Sequence, residues 1–200
     1  MNQENWPRLL VVDVEGNGAT PPDLVDVAVL PVRAGALDTS AAGTWLIRPP
    51  TPVTAFATRV HQLTNDDLVA CPSWKNVRDD VRATLHGGWI CAHNASVEYR
   101  VLRRHLPGWQ PVGVIDTLRL ARATYTDSPQ HNLDALIHYT GLDVTTAPAQ
   151  RHRASFDAYA TALLLLQMAE HYDTWETLTD AAVPPSLPGA PESEQKPALW

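Results

Sequence analysis

The stretch VVDVEGNG, residues 11–18, places two acids at the end of an apolar run. The run itself, Leu9 to Val12, has the composition of a buried strand. Successive side chains of a strand point to opposite faces, so Asp13 and Glu15 lie on the same face, about 6–7 Å apart along the chain. Two like charges on one face of a buried strand repel each other. The sequence therefore has to supply something that stabilises them.

Composition and charge limit the class of protein. A chain of 200 residues suffices for one sizeable domain. Its formal net charge of −7 argues against a general basic coat for nucleic acid. The polar start and the short, interrupted apolar stretch of residues 158–169 predict neither a signal peptide nor a membrane span. Two cysteines, Cys71 and Cys91, form no metal or disulfide pattern, so we expect a reduced, cytoplasmic protein.

The order of apolar segments predicts a mixed α/β domain over residues 1–182. Three early apolar stretches, 9–14, 24–32 and 45–47, separated by turn residues, predict an antiparallel meander. Short strands at 89–92 and 112–115 then alternate with helical patterns, among them a helix over 95–106 capped by Asn94. Residues 183–200 are rich in proline and end in Trp200, which predicts an extended tail able to dock a partner protein.

Two further acids fall on helix faces that should point inward. Glu98 shares its face with Val101 and Leu102, and Asp157 begins a long apolar helix. Each alone is an ordinary helix acid, and His152, five residues before Asp157, is one of eight histidines. Together with the acids of the first strand, however, they make an oxygen-rich set of the kind that binds Mg²⁺.

Three segments resemble the motifs of a known family. VVDVEGNG, AHNASVEYRVL and HRASFDAYAT are similar, in this order, to the three motifs of the DEDDh 3′–5′ exonucleases, and RVHQLTNDDL, VIDTLRLAR and HNLDAL resemble their connecting segments. The resemblance covers about residues 8–172. It implies a ribonuclease H-like fold, which is a mixed five-stranded sheet flanked by helices, its first three strands antiparallel.

The resemblance implies a role for each matching residue. Asp13, Glu15 and Asp157 would bind two divalent ions, Mg²⁺ or Mn²⁺, and His152 would act as the general base. Glu98 stands where the family has Asp. It would reach the second ion through water. The substrate would be the 3′ end of a single-stranded nucleic acid, held by the residues that match the family's substrate-binding positions: Gly16, Asn17, His61, Leu63 and Asn94.

Other interpretations remain open at this point. With Glu98 in place of Asp, the chain could be a catalytically weakened nucleic-acid-binding module. It could also be an accessory module of a polymerase or repair complex, docked through the tail. The sequence does not decide between DNA and RNA, between proofreading, repair and RNA processing, or between monomer and oligomer.

Overall fold

The computed structural model describes residues 5–191. Six strands form one sheet: β1 (Leu9–Gly16), β2 (Leu24–Arg33), β3 (Ala36–Leu37), β4 (Gly43–Leu46), β5 (Trp89–Ala92) and β6 (Val114–Asp116). The α-helices within these residues are α1 (Ala55–His61), α2 (Asn65–Leu68), α3 (Trp74–Leu85), α4 (Ser96–His105), α5 (Thr117–Thr124), α6 (Leu133–Thr140), α7 (Ala154–Ala169) and α8 (Trp175–Ala182).

The sheet is mixed, as the sequence predicted. Its order is β3-β2-β1-β5-β6, and β4 also pairs with β2. β2 runs antiparallel to β1, β3 and β4, whereas β5 runs parallel to β1 and β6. β3 and β4 pair with different parts of the same edge of β2. The sheet is therefore five strands wide, and the sixth strand is a two-residue segment that the sequence did not predict.

β1 lies in the centre of the sheet, and its alternating side chains divide the core. Leu9 and Val11 pack with α5, α7 and α8 on one face, whereas Leu10 and Val12 pack with α3 and α4 on the other. Asp13 and Glu15 continue the face that α7 covers, because the alternation persists to the end of the strand. The carboxyl ends of β1, β5 and β6 meet at one edge of the sheet, which is where the acids lie.

The helices differ from the sequence prediction in four places. α1, α2 and α8 were not predicted, although each has a threonine whose side chain accepts a bond from the backbone N–H three residues on: Thr54, Thr64 and Thr174. The predicted Asn94 cap is wrong. Ala95 occupies the N-cap position of α4, which has no side-chain cap, and Asn94 itself has a φ of 76°.

The first part of the predicted tail lies against the domain. The Val114 N–H donates to the Pro188 carbonyl at 2.9 Å, which covers part of the outer edge of β6. Leu187 packs against the α3–α4 core, and Ala190 packs against the α7 core. Trp200 and the rest of the tail lie outside the described residues. Within residues 5–191, no helix is both long and apolar enough to cross a membrane.

Candidate active site

The structure brings the predicted acids together. Asp13 and Glu15 come from the end of β1, and Asp157 comes from the first turn of α7. One carboxylate oxygen of each lies within 4.8 Å of the others. Glu98, in the first turn of α4, is outside this group of three, but among neighbouring charges it has the largest influence on Asp13. A buried strand and two helix N-termini therefore converge on one acidic cluster.

Two oxygens in this cluster lack the partner that buried polar atoms need. Asp13 Oδ2 and Glu98 Oε2 are buried, and neither has a hydrogen-bond partner among residues 5–191. Buried Asp116 shows the contrast, since its Oδ1 accepts from the N–H groups of Asn94, Leu118 and Arg119. More than nine in ten buried polar groups are satisfied in native proteins. Oxygen atoms left without a donor suit a hard divalent cation, so this donor set fits Mg²⁺ or Mn²⁺.

The electrostatics of the cluster support the same conclusion. Burial raises the pKa of Asp13 well above its ordinary value, and the charges of Glu98, Glu15 and Asp157 raise it further. Burial also raises the pKa of Glu15 to about 8, that of Glu98 to about 8 and that of Asp157 to about 6. Without a cation, several of these carboxyls hold protons at neutral pH. A divalent ion favours the charged forms and displaces those protons.

His152 lies at the rim of the cluster. It has a φ of 60° in the loop before α7, and 45% of its side chain is exposed. Its Nε2 lies 3.8 Å from Asp134 Oδ2, which is beyond hydrogen-bond distance. It is close enough to Asp157 to lower the pKa of that carboxyl. The predicted base is therefore beside the carboxylates and accessible to solvent.

Three of the predicted substrate-binding side chains are buried, and the two polar ones are already hydrogen-bonded. Leu63 N–H donates to His61 Nδ1 at 3.1 Å, so the proton is on Nε2, which donates to the Gly16 carbonyl at 3.2 Å. Leu63 itself packs in a small apolar cluster below α1. The Asn17 side chain donates to Thr51 Oγ1 at 2.6 Å and accepts from two backbone N–H groups. These contacts shape the loop after β1, and His61 also lines a pocket beside Glu15.

The other two predicted substrate-binding residues act through the backbone. A Cβ on Gly16 would lie 2.9 Å from the Cβ of Pro22, so only glycine fits the close approach of the loop. The Asn94 N–H donates to Asp116, and its exposed side chain lines a polar pocket with Arg122 and His131. Both residues therefore border the edge of the sheet that carries the acids.

An apolar pocket next to the acids was not predicted. It has a volume of about 250 Å³ and lies between α1 and α4, with Glu15 in its wall. Phe56, Val60 and Val97 line it and expose 69%, 39% and 37% of their surface. The i, i+4 spacing of Phe56 and Val60 could have indicated this face, but no helix was predicted there.

The exonuclease family (RNase_T) matches residues 10–165. The chain belongs to the exonuclease family. It is 32% identical to exodeoxyribonuclease 10 of Escherichia coli over 182 residues. The aligned residues are 90% of this chain and 77% of that protein. A solved structure of exonuclease X with 5′ overhanging duplex DNA matches at a TM-score of 0.72 and 28% identity, covering 86% of this chain and 98% of that one.

A second relative places the same kind of domain in a longer protein. The PolC-type DNA polymerase III of Bacillus subtilis is 31% identical over 168 residues, which is 80% of this chain and 11% of that protein. The sequence interpretation as a nuclease of the DEDDh family is thus confirmed, as is its ribonuclease H-like fold. Use of a divalent metal follows from the family and from the unpartnered carboxylates.

The raised pKa values predict a pH-dependent stabilisation by metal. Without metal, the carboxyls of the folded chain keep their protons up to about pH 8, whereas those of the unfolded chain lose them near pH 4–5. Because the folded state then binds more protons, the free energy of unfolding should fall as the pH rises from about 5 to about 8. Because Mn²⁺ binds the deprotonated cluster, its stabilisation should grow over the same range. Thermal unfolding with and without Mn²⁺ measures both trends.

The Asp13→Asn variant is the control for this experiment, since it keeps the side-chain size and removes one carboxylate. Its melting temperature should depend less on pH and should respond less to Mn²⁺. A metal response that is the same in the parent and in Asp13→Asn would contradict the assignment of the site.

Proposed function

We propose that the chain is a 3′–5′ exonuclease that hydrolyses phosphodiester bonds at the 3′ end of DNA and releases nucleoside monophosphates. The observation that carries the proposal is the convergence of Asp13, Glu15 and Asp157 beside an open apolar pocket. DNA is favoured over RNA by the name exodeoxyribonuclease 10 of one relative and by the matching structure of exonuclease X with duplex DNA. A 5′ overhang leaves a recessed 3′ end, the kind of end that the proposed activity would attack.

The carboxylates would hold two divalent ions. Asp13, Glu15 and Asp157 supply the shared set of oxygens, and Glu98 adds the unpartnered Oε2 near Asp13. When bound, such ions would supply the charge that activates a water molecule and stabilises the leaving oxygen of an in-line displacement. His152 accepts the proton of the attacking water on its imidazole ring. Histidine is the most frequent general base in enzymes. Its exposed position at the rim allows it to pass the proton to solvent.

The apolar pocket would hold the base of the terminal nucleotide. Phe56 offers an exposed ring face next to Glu15, and base–aromatic stacking contributes about 1–3 kcal/mol per base. The same side chains bind any base, because every base has an apolar face. Phe56, Val60 and Val97 line this pocket together with His61, which the resemblance matched to a substrate-binding position.

A catalytically weakened binding module is less well supported. Loss of the metal would leave Asp13 and Glu98 buried without any compensating partner, which costs stability. Docking on a polymerase or repair protein is compatible with catalysis, and the match within a PolC-type polymerase supports it. The sequence interpretation assigns that contact to the tail, residues 183–200, of which residues 192–200 lie outside the described residues.

Direction and metal dependence give the first test of the proposed function. Oligonucleotides labelled at the 5′ or 3′ end, as DNA and as RNA, should show mononucleotide release from 3′ ends of DNA that stops on chelation. Asp13→Ala should lower the rate by at least about 10²–10³-fold, because it removes a shared ligand. The control is Asp143→Ala, an exposed aspartate bonded only to Thr145 of its own loop. Release from 5′ ends, or parental activity in Asp13→Ala, would contradict the proposal.

Glu98 should make the enzyme prefer Mn²⁺ over Mg²⁺. Its carboxylate reaches about 1.5 Å further than that of aspartate, and Mg²⁺ demands stricter octahedral geometry. Glu98→Ala should lose about 10–100-fold in activity with both metals, whereas Glu98→Asp should lose less and gain in its use of Mg²⁺. Steady-state rates of the parent and of both variants, measured with each metal, test these expectations. Full activity of Glu98→Ala would show that this residue does not serve the metals.

Phe56→Ala should weaken the binding of single-stranded DNA by about tenfold or more, since it removes one stacking surface. Stability should be unchanged, because 69% of the residue is exposed. The matched control is Val69→Ala, which removes an apolar side chain of 63% exposure outside the pocket. Equal dissociation constants for single-stranded DNA in the parent and in Phe56→Ala would show that the pocket does not bind substrate.

A further inference from the structure

The helix that carries Asp157 begins without a cap of its own. Arg153 occupies the N-cap position of α7 and makes no side-chain cap bond to the helix. The first N–H groups of any helix lack partners within the helix. The position of the first turn of α7 is therefore set by contacts with another element.

That contact comes from Asp26 in β2. Its Oδ2 accepts from Arg153 Nε at 2.9 Å and, over a longer 3.4 Å, from the Ala154 N–H, the first of the helix. The ion pair is buried, since 4% of the Asp26 side chain and 23% of the Arg153 side chain are exposed. Asp26 thus caps α7 from a distant strand, and its charge lies at the positive end of the helix dipole.

The same aspartate lies next to the acids of β1. Asp26 is the direct partner of Glu15 in the β1–β2 ladder, so their side chains share one face, about 5 Å apart at Cβ. Ala154 and Asp157 are three residues apart on one face of α7. Fixing Ala154 against Asp26 therefore fixes Asp157 against Glu15.

We propose that Asp26 and Arg153 form a positioning pair that sets Asp157 against Asp13 and Glu15 for metal binding. The inference rests on the proposed function of these three carboxylates as metal ligands. Asp26 has a second effect, because it holds the guanidinium of Arg153. If Asp26 did not hold it, the guanidinium of Arg153 would be free to pair with Glu15 or Asp157 and would compete with the metal. Neither residue of the pair needs to contact metal or substrate.

Mn²⁺ binding in the absence of DNA tests the pair without relying on activity. Calorimetric titration of Asp26→Asn and of Arg153→Gln should show Mn²⁺ binding that is about 10–100-fold weaker than in the parent, the usual loss for residues that orient ligands. The double variant should be no weaker than the weaker single variant, because the two side chains act as one unit. Circular dichroism of each variant shows whether the fold is retained.

The chain contains a matched control for the same chemistry. Arg33, the last residue of β2, and Asp38 form an ion pair of 2.8 Å between Nε and Oδ2, at the end of β2 remote from the acids, with 61% of the Arg33 side chain exposed. Asp38→Asn should bind Mn²⁺ as the parent does. A loss in Asp38→Asn equal to that in Asp26→Asn would overturn the proposal, since it would reflect the loss of negative charge alone.

Parental Mn²⁺ affinity in a folded Asp26→Asn protein would also overturn it. If Asp26→Asn does not fold, Arg153→Lys replaces it, since lysine keeps the charge and loses the planar fork of the guanidinium. Folded Arg153→Lys should bind Mn²⁺ several-fold more weakly, and parental affinity there would overturn the positioning role. A parent that binds no Mn²⁺ would instead refute the metal-binding function itself.

Discussion

Repulsion between buried carboxylates is the constraint on which this site depends. Burial and the charges of neighbouring acids oppose the ionised state of Asp13, and burial also raises the pKa values of Glu15, Glu98 and Asp157. A protein that needed only stability would replace these side chains by apolar ones. The fold instead keeps carboxylates without hydrogen-bond partners at the end of its central strand. This costs stability, as is common in enzymes where function requires it.

Two classes of buried acid serve this arrangement. Asp26 and Asp116 are bonded by protein donors: Asp26 holds the start of α7, and Asp116 caps α5 and also accepts from the Asn94 N–H before α4. Asp13 and Glu98 have oxygens without such donors and face the cluster. The bonded acids are structural, and the unbonded acids are available for chemistry. The hydrogen-bond partners of each carboxylate therefore distinguish the two roles, whereas burial alone does not.

Much of the fold was predictable, because it depends on local patterns. The alternation along β1 and the apolar runs of β2 and β5 predicted the sheet, and the resemblance supplied the acids. Asp26 was missed because it lies inside an apolar run and its partner is 127 residues away. Phe56 was missed because the prolines before α1 indicated irregular structure, whereas Thr54 caps a helix there. Contacts between distant segments leave no local signature.

Both ends of the described chain lie at the same end of the sheet. Trp6 contacts Trp175, which in turn contacts Trp89 at the start of β5, and Pro188 pairs with the start of β6. The acids lie at the carboxyl ends of these parallel strands, on the opposite side of the molecule. A domain whose two ends emerge together, away from its cleft, can carry further chain at both ends without obstructing the acids. Chain added at either end would therefore extend away from the acidic edge of the sheet.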